Sequence, residues 1–238
     1  MLTELVIKNF KAWRDTGSIR LAPLTVFFGS NSAGKTSLLQ FLLMLRQTAE
    51  SPDRHRVLHP GDDNTPVELG TFRDLVFEHQ LENEIEFALA WNLPEPMLIR
   101  DPLTRESIVG NRIRFEAKIK SDPKGASQQI RSFTYSLQDG GRPGLNVTMT
   151  PLESTPTKYE VSAENYKLVR NTGRVWKLPA PIRFYAFPDE VGAYYQNAGF
   201  TSDLALELEK QLKRLQYLGP LRINPRRSYV WSGRFRST

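Results

Sequence analysis

Residues 29–36 read Gly-Ser-Asn-Ser-Ala-Gly-Lys-Thr and fit G-x-x-x-x-G-K-[ST] at every fixed position. The pattern has a physical reason only where a strand leads into the first glycine and a helix starts at the lysine. Its glycines permit backbone conformations in which successive N–H groups point inward around an anion, and the helix N-terminus adds partial positive charge. The flanks meet that requirement. Leu24 to Phe28 is a continuous apolar run, suited to a strand buried on both faces in the parallel part of an α/β sheet. From Lys35 to Gln47, Leu38, Leu39, Phe41, Leu42, Leu43 and Leu45 cover most of a helical surface, which predicts a buried helix. Gly29, Ser30, Asn31, Ser32, Ala33, Gly34, Lys35, Thr36 and Ser37 are therefore expected to hold a nucleoside triphosphate such as ATP. Lys35 would reach the β- and γ-phosphates, and the Thr36 hydroxyl would ligate Mg²⁺.

The remaining chain is read more coarsely. Leu2 to Phe10 suits a first strand, Lys11 to Thr16 a polar turn containing Trp13, and Ser18 to Leu21 a short second strand. Ser51 to Asn64 is rich in Pro, Gly and Asp and reads as a loop. Short alternating segments follow at Glu84–Trp91, Arg112–Ile119, Ile130–Leu137, Leu145–Met149 and Tyr159–Val161, with turn residues such as Asp139-Gly140-Gly141 between them. They predict an antiparallel sheet flanking the nucleotide core. Ile182–Phe187 reads as another strand, and helices are expected over Asp189–Gln196 and Ser202–Leu215.

The 238 residues include no cysteine, which removes disulfides, thiolate metal sites and cysteine nucleophiles. The longest apolar stretch, Leu38 to Leu45, is interrupted by Gln40 and is too short for a membrane span. With no signal-peptide pattern before the first strand, a cytoplasmic location is expected. Net charge is +6, but eight basic residues and no acidic one lie from Lys210 onward, leaving 24 basic against 26 acidic before it. The basic character is thus a property of the C-terminal segment, where Arg222, Arg226 and Arg227 are expected to face partner protein, nucleic acid or phosphates, a solvated charged tail being the competing reading.

Two stretches, Ile7-Lys-Asn-Phe-Lys-Ala-Trp13 and Leu24 through Gln40 with Asn31 inside the loop, resemble the start of the RecF/SMC/OLD-like ATPases with ABC-type heads. Val67 to Leu75, Tyr217 to Arg222 and Tyr229 to Gly233 resemble recurring segments of bacterial AAA-family ATPases. The resemblance implies an α/β P-loop NTPase fold: an ABC-type N-terminal lobe with a mixed core sheet and a large antiparallel β portion. It implies one lobe over 1–238, comprising a strand–P-loop–helix core (1–50), a β-rich portion (65–187) and helices with a basic tail (188–238). It further implies ATP sandwiched between two heads, and roles in DNA repair, chromosome maintenance or defence against phage. Lys11 falls where relatives place a residue near the nucleotide; a solvated turn lysine is the competing reading.

A complete head also carries an acidic Walker B strand, a Ser-Gly-Gly signature loop and a histidine switch. Asp189-Glu190 follow an apolar run, but Pro188 intervenes and both suit the first turn of a helix better. Ser232-Gly233 stand five residues from the end, and His55, His59 and His79 all precede the expected switch. A metal site from His55, His59 and the nearby aspartates is disfavoured, because its spacing needs a helix that the Pro/Gly-bearing stretch opposes. The expectation is an N-terminal half, with a C-terminal lobe or second subunit supplying the rest and hydrolysis weak or absent without it. Two competing readings remain: a nucleic-acid-binding or assembly module with a vestigial P-loop, suggested by Tyr217, Tyr229 and Trp231 among basic residues, and a small kinase-like enzyme.

Overall fold

The computed structural model describes residues 1–140, 142–173 and 176–219. Strand β1 (Leu2–Phe10) buries Leu5 and Ile7 by strict alternation. Asn9 then adopts φ 55, a conformation that asparagine tolerates better than most residues, and Phe10 is buried in the core out of phase with that alternation. On one edge of β1 lie β2 (Trp13–Asp15) and β3 (Ile19–Arg20); on the other lies β4 (Ile85–Arg100). Strands β5 (Ser107–Ser121), β6 (Gln128–Asp139), β7 (Arg142–Leu152) and β8 (Thr155–Glu164) follow by simple succession.

Every pairing among these eight strands is antiparallel. Four of the five alternating segments lie inside β5 to β8, which extend beyond them at both ends; the fifth, Glu84–Trp91, starts one residue before β4, which runs on well past it. One face is apolar and covered. The other carries cross-strand charge, as in the row Lys8–Glu86–Lys118, where Lys118 Nζ lies 3.2 Å from Glu86.

Two expected strands do not form. Leu24 to Phe28 lies outside every strand, with Leu24, Val26 and Phe28 82%, 57% and 89% exposed. Both edges of β1 are already occupied, by β2 and β3 on one side and β4 on the other, so this run does not pair with β1, and the parallel component of a mixed core sheet is absent among the described residues. Ile182–Phe187 is instead a tight reversal closed by an Ile182–Ala186 bridge, with Arg183 at φ 55. Its apolar side chains Phe184, Tyr185 and Phe187 are buried against the covered face of the sheet.

Helix α1 (Lys35–Glu50) packs on that same face. Phe41 sits edge-on between Phe10 and Phe87, with ring centroids 4.9 and 5.1 Å away. Phe87 continues the chain to Phe184 and Phe115, and Phe115 to Tyr135. Helix α2 (Phe72–Leu75) is a single turn, followed by a 3-10 turn over Phe77–His79. Helix α3 (Glu190–Tyr194) has Glu190 in its first turn and Asp189 one residue earlier, at the N-cap; Asp189 also lies 3.6 Å from Arg54. Helix α4 (Phe200–Lys213) starts two residues earlier than expected and packs along α1.

The irregular stretch after α1 is tied to the helix by polar contacts. Gln47 donates to the carbonyls of His59 (2.7 Å) and Val67 (3.2 Å), and the Thr48 hydroxyl accepts from His59 N–H at 2.8 Å. The His59 ring is itself buried and its Nδ1 accepts the Gly61 N–H at 3.1 Å, which holds Gly61 in place. Burial first, then the Arg56 guanidinium 3.1 Å away, holds this imidazole below its ordinary value, outweighing Asp62 and Asp53.

Two outcomes are expected. Phe87→Ala should lower unfolding free energy by about 3–5 kcal/mol in urea titration, whereas Lys118→Ala on the charged face stays within about 0.5 kcal/mol. Because the folded His59 pKa lies below its unfolded value of about 6.5, the unfolded chain takes up its proton first as pH falls. Stability should therefore decline below about pH 6.5, and His59→Asn should flatten that decline in chemical denaturation at pH 7 and pH 5.

Candidate functional site

The loop from Gly29 to Gly34 leads directly into α1, so loop and helix stand in the order that the motif needs, while the run before the loop forms no strand. Gly34 is the residue before the helix and adopts φ 81, ψ 7. A side chain there would be strained by that conformation and would also collide, since a Cβ would lie 2.9 Å from Trp13 Nε1 and 3.1 Å from Ala12 Cβ. Ser32 also takes a left-handed conformation, at φ 65, and the loop is tightened by Ala33 N–H donating to the Ser30 carbonyl at 3.3 Å.

Lys35 folds back across the loop. Its Nζ donates to the carbonyl oxygens of Gly29 at 2.8 Å and Ser30 at 2.6 Å. The ammonium therefore stands at the mouth of the loop that the glycines shape. Thr36 is exposed on the first turn of α1, where helical N–H groups have no acceptor one turn earlier in the helix. Lys35 and Thr36 occupy the first two positions of that turn, so backbone donors, a cation and a hydroxyl converge. This donor set fits a polyphosphate, and one hydroxyl plus phosphate oxygens suits Mg²⁺, a hard ion that takes oxygen ligands.

Lys11 lies in the turn between β1 and β2 at φ 49. Its amide donates to the Leu75 carbonyl at 2.7 Å and its Nζ to Gln40 Oε1, on α1, at 3.2 Å. The structure thus brings Lys11 against the helix that follows the P-loop, and brings the Val67–Leu75 segment against Lys11. Neither contact was legible in the linear order. Trp13 was missed altogether as a site residue: its Nε1 donates to the Gly34 carbonyl at 3.0 Å. The available signal was a tryptophan three residues beyond a strand end, in a mostly polar turn.

No carboxylate is hydrogen-bonded or ion-paired to Lys35 or Thr36 among the described residues, and no group of three or more His, Asp or Glu there is arranged to hold a metal ion. The segments around Arg222, Arg226, Arg227, Tyr229, Trp231, Ser232 and Gly233 lie outside the described residues. No helix among the described residues is long and apolar enough to cross a membrane.

Comparison with known families agrees with this geometry. No curated protein matches the chain. A family model described as an AAA ATPase domain matches residues 1–170, which takes in the P-loop, α1, α2 and the whole eight-stranded sheet. ATP binding with Mg²⁺ is a general property of that family. The match covers well over half of the sequence, and the chain belongs to the AAA ATPase domain family, in its RecF/SMC/OLD-like group.

Proposed function

We propose that this chain is the ATP-binding lobe of a RecF/SMC/OLD-like ATPase that acts in DNA maintenance or antiphage defence. The observation that carries the reading is the shape of Gly29 to Ser37: a left-handed Gly34 opening onto α1, with the Lys35 ammonium poised across the loop mouth. In this reading the backbone N–H groups from Gly29 to Ser37 and the start of α1 hold the phosphates. Lys35 exchanges the Gly29 and Ser30 carbonyls for β- and γ-phosphate oxygens, Thr36 supplies the protein hydroxyl to Mg²⁺, and Lys11 adds positive charge alongside.

Hydrolysis asks for one thing more, a carboxylate or equivalent that orients the attacking water. The described residues around Lys35 and Thr36 supply none. The unpaired run Leu24 to Phe28 supports completion by another β-strand. It is apolar and largely exposed, it leads into the loop, and it borders a groove of about 560 Å³ lined by Leu5, Phe27, Leu38, Leu42 and Leu215. We infer that an apolar strand ending in a carboxylate lies beside it, carried by a C-terminal lobe or a second subunit, with head-to-head pairing in the working enzyme.

Titration calorimetry with Mg·ATP tests the binding half. The 238-residue chain should bind, and Lys35→Ala should weaken binding at least tenfold, about 1.4 kcal/mol or more. The hydrolytic half predicts very slow turnover. A rate near about 1 s⁻¹, abolished by Lys35→Ala, would show that a catalytic carboxylate is already present. Phe28→Ser should change the stability of the chain by no more than about 0.5 kcal/mol, because nothing described packs on that ring. Salt-sensitive DNA binding that is lost on deleting 219–238 yet indifferent to Lys35→Ala would favour the alternative nucleic-acid module.

A further inference from the structure

We propose that Trp13 is a positioning residue for the phosphate loop, aiming the Lys35 amide by gripping the peptide group that precedes it. The inference rests on the nucleotide reading above and adds a residue that the motif does not contain.

The argument begins with the Gly34–Lys35 peptide. In a trans peptide the carbonyl and the following N–H point in opposite directions, so fixing one fixes the other. The Gly34 carbonyl accepts the Trp13 indole N–H at 3.0 Å and also the Ser37 N–H at 3.0 Å. Held from that side, the carbonyl directs the Lys35 N–H the opposite way within the same peptide plane. That N–H is one of the helix-start donors on which phosphate binding depends. Without the indole, the Gly34 carbonyl keeps only contacts from its own helix, the Ser37 N–H among them, and this glycine-bounded peptide loses its tie to the β1–β2 turn.

Trp13 can act as a fixed point because it is itself held. It pairs with Phe10 across the β1–β2 turn, the Lys11 amide is bonded to the Leu75 carbonyl at 2.7 Å, and Lys11 Nζ reaches Gln40 at 3.2 Å. The turn is therefore braced against α2 and α1 together. It also presses on the loop directly: the missing side chain of Gly34 is the space that Trp13 and Ala12 fill, with a would-be Cβ at 2.9 and 3.1 Å. The contrast with Trp91 is informative, since that indole N–H is fully buried and has no partner. Burial of a ring is sufficient reason for Trp91; at Trp13, half-exposed, the N–H itself is what is used.

The test is Trp13→Phe, which keeps an aromatic ring and removes the donor. Mg·ATP affinity by calorimetry should fall about three- to tenfold, the effect of losing one hydrogen bond, with the melting temperature of the nucleotide-free protein nearly unchanged. A merely structural role would lower the melting temperature and leave affinity alone. A second measurement uses the unaltered chain: the Trp13 indole N–H resonance should be protected from solvent exchange before nucleotide is added and should shift on adding Mg·ATP. Unchanged affinity in Trp13→Phe, or an indole proton exchanging as freely as in an unfolded chain, overturns the proposal even if the nucleotide reading stands. Failure of the unaltered chain to bind Mg·ATP overturns both.

Discussion

The wedge of Phe41 between Phe10 and Phe87 fixes the position of α1 on the sheet, and the loop inherits its position from α1. A glycine-rich loop cannot hold its own shape, because its residues have the most backbone freedom to lose. What holds it is the helix after it and the turn beside it. Both are anchored in the same aromatic row, since Phe10 ends β1 just before Lys11, and Phe41 lies in the second turn of α1. Edge-on packing of this kind adds about 0.5–1.5 kcal/mol per pair beyond apolar burial and favours one relative orientation. Orientation is what an anion site needs.

The far end of α1 is secured by different chemistry. Arg183 sends its guanidinium to the carbonyls of Ala49 at 2.7 Å and Ser51 at 2.6 Å, groups that the helix terminus leaves without intrahelical donors. A cation there also suits the negative end of the helix. Arg46 bonds the Leu215 carbonyl at 2.6 Å, just beyond α4. Tyr185 joins the group by donating to Glu209 of α4 at 2.6 Å and accepting from Arg183 at 3.0 Å. Burial, then the Glu209 carboxylate, pushes the Tyr185 phenol well up, so it stays a donor throughout the physiological range.

Sequence legibility divides along the range of the interactions involved. The P-loop was legible because all of its determinants, glycines, lysine and helix start, lie within a dozen residues. The strands β4 to β8 were legible because alternation reports a half-buried sheet locally, although Glu84–Trp91 marked only part of β4; its outer stretch through Pro94 and Pro96 shows no alternation to read. Leu24 to Phe28 misled, because an apolar run states a preference for burial without naming the partner. Ile182–Phe187 misled for the same reason: its aromatic side chains are buried in a reversal that needs the left-handed Arg183, an arrangement sequence propensity disfavours. Trp13 was illegible because its partner, the Gly34 carbonyl, is a backbone atom 21 residues away.

Helix α1 is therefore gripped at both ends, by Trp13 through the Gly34 carbonyl at one and by Arg183 through the Ala49 and Ser51 carbonyls at the other. Sixteen residues at about 1.5 Å each make it a strut of roughly 24 Å with few soft joints along it. The polar contacts at its two ends thus tie the phosphate loop, the Arg183 reversal and, through Tyr185 and Glu209, α4 to one helix.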